Sequence, residues 1–497
     1  MRKSTYIILG TILGLILLNV LSNRFFLRLD FTADQRYTLS EASKNILKEI
    51  EEPVNIKAYF TEDLPPQLLT IKNDFRDILT EYKNRSKGKV TFEFINPNEN
   101  QDTETEAIQK GIAPNIVDIR EKDQATQKKV FLGAVIEVGD TIGQKFDVIP
   151  VVNPAEMEYT LTKSIKRLTG KNKPSIGFSV GHGEASMQEM QRAAQELGVL
   201  YKIQNVDLTS DDDIDVSALV IIAPASSFSI SDLKKIDKYV ADGGSVFIGI
   251  DRVFGEMQNS RSAIKLNTGL ETWLFSKGIQ VDTSVVIDKQ CTQVQVPIQE
   301  GLPFMNNVDF PYIPIVMNFG DHPAVQGFEG VFLEFPSEIS VLSEKDWTIT
   351  PLLYSSNRAN ILPVPVFFET EKEWSDADFP LENVVTGLAI DGKISGDTPA
   401  KMIVIGDGGF AKGQFGENQD NVNLLVNGMS WLLNDTDLNQ LRTKAIPIRP
   451  IDQNIDDTAK AFIKWTSFLF PLILVLILGF VRMQRKKALR LHRMENK

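Results

Sequence analysis

A single cysteine, Cys291, in a chain of 497 residues leaves no partner for an internal disulfide, so packing and hydrogen bonds alone must hold the fold in any compartment. Histidine is scarce as well: His182, His322 and His492 lie far apart, with no cysteine cluster beside them, which argues against a zinc site, and no metal is expected. No Gly-x-x-x-x-Gly-Lys-Ser/Thr run occurs, so the chain does not hold nucleotide in the P-loop manner, and any ATP must be handled by another subunit. The absence of Cys-x-x-Cys removes dithiol redox chemistry, and the absence of Gly-x-Ser-x-Gly removes the usual hydrolase nucleophile. No cofactor is expected. Positive charge is also in deficit, with a formal net charge of −12, which argues against nucleic acid as a partner.

What is present is a globular composition, 42% hydrophobic and 24% charged, long enough for two or three domains. Two apolar runs stand apart. Residues 6–22 carry no charge over a length that just crosses a bilayer core, and the flank Ser22-Asn23-Arg24-Phe25-Phe26 offers no small-x-small cleavage site, so an anchor is expected rather than a cleaved signal peptide. Residues 465–481 form the second run, opening at Trp465 and ending before Arg482. The tail 482–497 holds seven basic residues against Glu495 and is expected in the cytoplasm, and two spans then place residues 1–5 there too. The expected location is a bacterial cytoplasmic (inner) membrane, crossed twice, with a large periplasmic body. Setting aside Arg2, Lys3 and the tail leaves about −20 for the segment between the runs, a charge that favours solubility or a basic protein surface.

Between the anchors the pattern is α/β. Thr38-Leu39-Ser40-Glu41 has capping-box form ahead of a short helix, and Pro53 ends that helix. Val54 to Phe60 alternates as a strand, Leu68 to Tyr82 repeats at helical spacing, and Val90, Phe92 and Phe94 alternate again, giving a β-α-β unit. Val130 to Val138 and Gln144 to Pro150 suggest a hairpin. Residues 30–170 are therefore expected to form a thioredoxin-like domain without the redox pair.

A second, doubly wound parallel-sheet domain is expected over 173–440. Its strands are read at Ile176–Val180, Ala218–Ala223, Val246–Ile250, Val285–Ile287 and Met402–Ile405, with helices near 187–197, 233–240, 266–274 and 422–432. A proline-broken, β-rich insertion is expected at about 294–368, and residues 441–464 run on to the second span as a membrane-proximal segment.

Candidate functional residues sit at strand ends, where α/β sheets place ligands. His182 and Glu184, in Gly181-His182-Gly183-Glu184, have the types of a base and its partner, although a tight turn before a helix explains the same residues. Asp251 and Asp407 each close a strand and read first as capping or turn residues, with approach to a common crevice as the alternative. Ser226 and Ser227 read as turn residues, and Gly406-Asp407-Gly408-Gly409-Phe410-Ala411 meets Gly-x-Gly-x-x-Ala only formally, since no helix pattern follows at once. No catalytic residue is expected.

Arg28-Leu29-Asp30-Phe31-Thr32 and Arg36-Tyr37-Thr38-Leu39-Ser40, together with Gly181-His182-Gly183-Glu184, Gly243-Gly244-Ser245, Ile405-Gly406-Asp407, Asn427 and Trp431, resemble the motifs of the GldG family. This family comprises auxiliary components of ABC-type transport systems linked to gliding motility. The resemblance covers nearly the whole chain, with Phe31 standing where a small aliphatic residue is usual. It implies a multi-span permease and a cytoplasmic ABC ATPase as partners, a role in gliding or associated secretion, and a non-catalytic relative of the class I glutamine-amidotransferase-like fold. A structural subunit coupling those partners to a periplasmic envelope protein is the first functional expectation. The alternatives are a ligand-binding receptor subunit with a solute in its interdomain cleft, and an envelope hydrolase using His182 and Glu184.

Overall fold

The computed structural model describes residues 38–121, 124–139, 145–170, 173–257, 261–297, 305–342 and 347–435, with scattered residues between 458 and 484. The chain divides into two compact units, residues 1–446 and 447–497. The first apolar run lies outside the described residues, as does part of the second. Among the described residues no helix is long and apolar enough to cross a membrane.

The first sheet is built as its alternating sequence predicts. Strand β1 (Val54–Phe60) leads through helix α2 (Pro66–Arg85) to β2 (Val90–Ile95), parallel to β1, while β3 (Leu132–Val138) and β4 (Lys145–Pro150) add antiparallel strands in the order β2-β1-β3-β4. Val54, Ile56, Ala58 and Phe60 all face one core, which α2 closes with Phe75, Leu79 and Tyr82. Helix α1 (Glu41–Glu49) and helix α4 (Met157–Thr169) complete that face. Tyr59 points the other way, against Val135, Phe131 and Ala107 of helix α3 (Gln101–Gln109). The α1 cap is Ser40, whose side chain accepts the Ser43 amide, rather than Thr38. Glu158 of α4 explains the shift, because it accepts from both the Ser40 amide (2.7 Å) and the Ser43 hydroxyl (2.8 Å), tying α1 to α4.

The second sheet has eight strands and is mixed. Strands β5 (Ser175–Val180), β6 (Lys202–Asp207), β7 (Ala218–Ile222), β8 (Ser245–Gly249) and β11 (Ala400–Ile405) are parallel, in the order β6-β5-β7-β8-β11. Beyond β11 the order continues through β10 (Val385–Gly392), β9 (Trp347–Tyr354) and Asn318–Phe319, all antiparallel to their neighbours. This corrects the expectation of a purely parallel sheet. Ser284–Asp288, expected as a sheet strand, pairs instead with Ala359–Pro363, and Trp347–Tyr354, assigned to the insertion, is a strand of the main sheet. A fully apolar run demands cover on both faces without saying which sheet supplies it.

Helices cover both faces of this sheet. Along β7, Ala218, Val220 and Ile222 pack toward helices α5 (Gln191–Leu200) and α8 (Gln419–Leu432), whereas Leu219 and Ile221 pack toward α6 (Ile230–Ala241) and α7 (Leu270–Ser276). The period of two along the strand therefore sets which core each residue joins.

Candidate functional site

The ends of β5, β7, β8 and β11 carry every residue singled out from the sequence, and the loops beyond them interlock. The turn after β5 needs its glycines: Gly181 and Gly183 have φ of +116° and +72°, and a Cβ on Gly181 would come within 2.8 Å of Thr209. The turn delivers His182 into the interior, 3% exposed, with its ring stacked on Phe228 at 3.9 Å between centroids. The His182 carbonyl accepts the amides of Ala225 and Ser226, at 2.9 and 2.8 Å, fastening the β5 turn to the one after β7. Ser226 thus has the turn role read for it.

His182 lies between two carboxylates. Its Nε2 is 3.1 Å from Asp232 Oδ2, and its Nδ1 is 3.5 Å from Glu184 Oε1, beyond hydrogen-bond length, while the other Glu184 oxygen accepts the His182 amide at 2.6 Å. Asp232 opens α6 in a capping box with Ser229. Burial alone would raise its carboxyl, but hydrogen bonds from Ser229 and His182 outweigh that and hold it below the ordinary aspartate range. Asp232 occupies Nε2 and Phe228 covers the ring face, while the buried Nδ1 and Glu184 Oε1 face each other without a hydrogen bond, so the ring is walled in on every side by the protein's own groups.

Asp251 and Asp407 form a second cluster, joined by Glu334. Asp251 Oδ1 accepts the Gly408 amide at 2.5 Å, Asp407 Oδ1 accepts the Gly409 amide at 2.6 Å, and Asp407 Oδ2 accepts the Glu334 amide at 2.8 Å. Burial drives Asp407 well above the usual carboxyl range, and the charge of Asp251 adds to this. Burial raises Asp251 against the opposing Gly408 bond and Lys412, and it raises Glu334 as well, where Lys412 opposes and Asp251 reinforces. The two aspartates lie together at the strand ends, and each binds a backbone amide. Among the described residues no three His, Cys, Asp or Glu groups are arranged to hold a metal ion.

Packing also accounts for the glycines of 406–411. A Cβ on Gly408 would lie 2.6 Å from the Ala223 backbone, and one on Gly406 would lie 2.3 Å from the Ser337 carbonyl. Ala223 itself holds φ +50°, with its amide bonded to the Gly249 carbonyl at 2.8 Å. Only a short 3-10 turn, Gly409–Ala411, follows Asp407. The long helix whose amino terminus a pyrophosphate would use does not begin there.

Phe228, Asp232 and Glu334 escaped the sequence reading. Ser229-x-x-Asp232 is a legible capping signature, but nothing in it points back fifty residues to His182. Glu334 lies in the proline-broken region, which has no period to read.

Comparison with known proteins gives a match to the ABC-type uncharacterized transport system model over residues 173–434, and to a domain of unknown function over residues 33–137. An uncharacterized protein of Borreliella burgdorferi is 23% identical over 511 residues, covering 96% of each chain. Among solved structures, an IFT52 N-terminal domain is 18% identical with a TM-score of 0.36, covering 52% of this chain and 97% of its own. A ThuA-like protein from Parabacteroides merdae is 12% identical with a TM-score of 0.30, covering 53% and 90% respectively.

Proposed function

The chain belongs to the ABC-type uncharacterized transport system auxiliary family, whose model spans the eight-stranded sheet, and from that premise we propose that it is a non-catalytic subunit coupling a permease and an ATPase to envelope partners. Membership in a transport system implies membrane association and such partners in general terms. The single observation that carries the non-catalytic reading is the closure of the strand ends: His182 is enclosed by Asp232, Glu184 and Phe228, and Asp251 and Asp407 are bonded to backbone amides.

The finer reading is a GldG-like component of a gliding-motility or secretion system, anchored twice in the inner membrane with its body in the periplasm. Support comes from the juxtamembrane motifs at 28–40 and the two uncharged runs. The helical residues described between 458 and 484 add to it, since Phe462, Trp465, Phe468, Phe470, Ile477 and Phe480 are all more than half exposed. Large apolar side chains this exposed match a lipid environment or partner helices better than water. We read residues 30–170 as thioredoxin-like, on the order β2-β1-β3-β4, and residues 173–440 as amidotransferase-like, on the doubly covered parallel strands.

Affinity purification from native membranes in mild detergent tests the coupling role, with permease and ATPase expected in the eluate and surface gliding lost on deletion. A chain that elutes alone, from cells that glide normally when it is deleted, sinks the proposal. The hydrolase alternative predicts loss of function in a folded His182→Ala/Glu184→Ala double variant, and the coupling role predicts none beyond the effect on stability.

A further inference from the structure

A cavity of about 470 Å³ lies between the two sheets, apart from both strand-end clusters. One wall is a single face of α4, on which Tyr159, Lys163 and Arg167 recur at helical spacing. The second wall is β4, the edge strand of the first sheet, carrying Asp147, and the third comes from α5 and the first turns of α8, carrying Glu196 and Asn423. The opposite faces of these helices are locked in the cores through Leu161 and Ile165 of α4, Leu197 of α5 and Leu425 of α8, so the walls are preformed. The volume falls in the range of small-molecule sites, roughly 300–1,000 Å³.

The charges in the cavity define what it accepts. Arg167 is paired with Asp147, and Lys163 is paired with Glu196 at 2.5 Å while lying 5.5 Å over the Tyr159 ring. An anionic ligand would have to break one of these pairs to find a countercharge, and the remaining carboxylate on the lining, Glu156, already accepts from Asn153 Nδ2 at 2.8 Å. A guanidinium has five donors and an ammonium three, and each carboxylate has several lone pairs, so one pairing does not exhaust them. The walls thus present donors and acceptors side by side with no net charge in either pair. A hydroxyl both donates and accepts, and neighbouring hydroxyls on a ring can bridge cation and carboxylate without separating them. Asn423, 3% exposed, adds a buried amide, and Tyr159 an aromatic face for the C–H side of such a ring.

We propose that this cavity binds a neutral, hydroxyl-rich ligand, a sugar unit of a glycan. The site is independent of the coupling role, because none of its residues belongs to the strand-end clusters or to the apolar runs.

The test uses the full-length chain in an amine-oxide detergent, which has no sugar headgroup to compete. Saturation-transfer NMR and thermal shift are run with glucose, N-acetylglucosamine and maltose as probes, with glycine and inorganic phosphate as charged comparators. At least one sugar is expected to bind saturably, with Kd raised tenfold or more in Thr160→Trp, which adds bulk to the cavity wall while leaving all four ion-pair residues in the chain, and also raised in Asn423→Ala. Silence from all three sugars overturns the proposal. So does sugar binding unchanged in both folded variants, or phosphate or glycine binding that Thr160→Trp abolishes while the sugars stay silent. Co-purification of permease and ATPase with Thr160→Trp separates this outcome from that of the coupling role.

Discussion

The Asp251 carboxylate receives the amide proton of Gly408, the residue immediately after Asp407, so two acids from strands β8 and β11 are held against each other by one backbone bond. The charge of Asp251 adds to burial in raising Asp407. Such a contact is most favourable when a proton lies between the carboxyl groups, because two buried like charges repel.

Asp251→Asn is therefore expected to stabilise the fold near neutral pH. Asparagine keeps the oxygen that accepts the Gly408 amide and offers Asp407 an N–H in place of a charge. Both acids are raised in the folded chain, so their stabilising protonated contact is complete below the ordinary aspartate range and is lost as pH rises through the folded values. The gain in urea-unfolding free energy is expected to be about 1 kcal/mol at pH 8 and to shrink toward pH 4. A variant less stable than the parent at pH 8 refutes the account.

His322 gives the opposite pH dependence. Burial, with help from Lys401, pushes its imidazole down to about 4, and its Nδ1 accepts the Ala324 amide at 3.2 Å. The unfolded chain takes up this proton first, so the contribution is present above about pH 6.5 and falls away between there and pH 4, by up to about 3 kcal/mol. His322→Asn retains an acceptor for Ala324 and does not titrate. Subtracting its stability curve from that of the parent is expected to leave a positive slope confined to this window, and a flat difference counts against it.

Gly408→Ala and Gly198→Ala separate steric need from chance. A methyl on Gly408 meets the Ala223 backbone at 2.6 Å, which no side-chain rotation relieves, and a loss of at least about 2 kcal/mol is expected. Gly198, inside α5, would meet only Ile203 Cδ1 at 3.6 Å, so the same change there is expected to gain roughly 0.5–1 kcal/mol. Thermal denaturation of the two variants checks the contrast in sign.

Asp232 serves both as a cap and as the partner of His182. Asp232→Ala removes the bond to the Ser229 amide (2.9 Å) and leaves the buried imidazole without its Nε2 partner, for an expected cost of about 2–4 kcal/mol. Ser229→Ala loses only the cap, at about 1 kcal/mol. Equal costs for the two variants would show that the Asp232–His182 contact contributes nothing.

The sequence revealed elements wherever one face is buried and the other is not. The alternation from Val54 to Phe60 and the helical spacing of Leu233, Ile236 and Val240 translated directly into β1 and α6. Helix α3 escaped because Ala107 is its one buried residue, and β6 escaped because Lys202–Asp207 is a half-exposed edge with no clean period. Trp347–Tyr354 was hidden by Pro351, which lies where the pairing with β10 shifts register. The strand-end residues were legible from the residue types that close strands. Their partners Asp232, Phe228 and Glu334 come from distant segments, and only the topology brings them together.

The position of β11 between β8 and β10 governs how the chain can be made. About 150 residues separate Gly249 from Ala400, so β8 leaves the ribosome with one edge bare and keeps it so until its late neighbour arrives, a long-range closure of the slow kind. A nascent chain stalled anywhere in that interval displays an unsatisfied apolar strand edge, the kind of surface that invites aggregation or proteolysis. Truncation before residue 405 is therefore expected to destabilise the sheet as a whole rather than only trim its end.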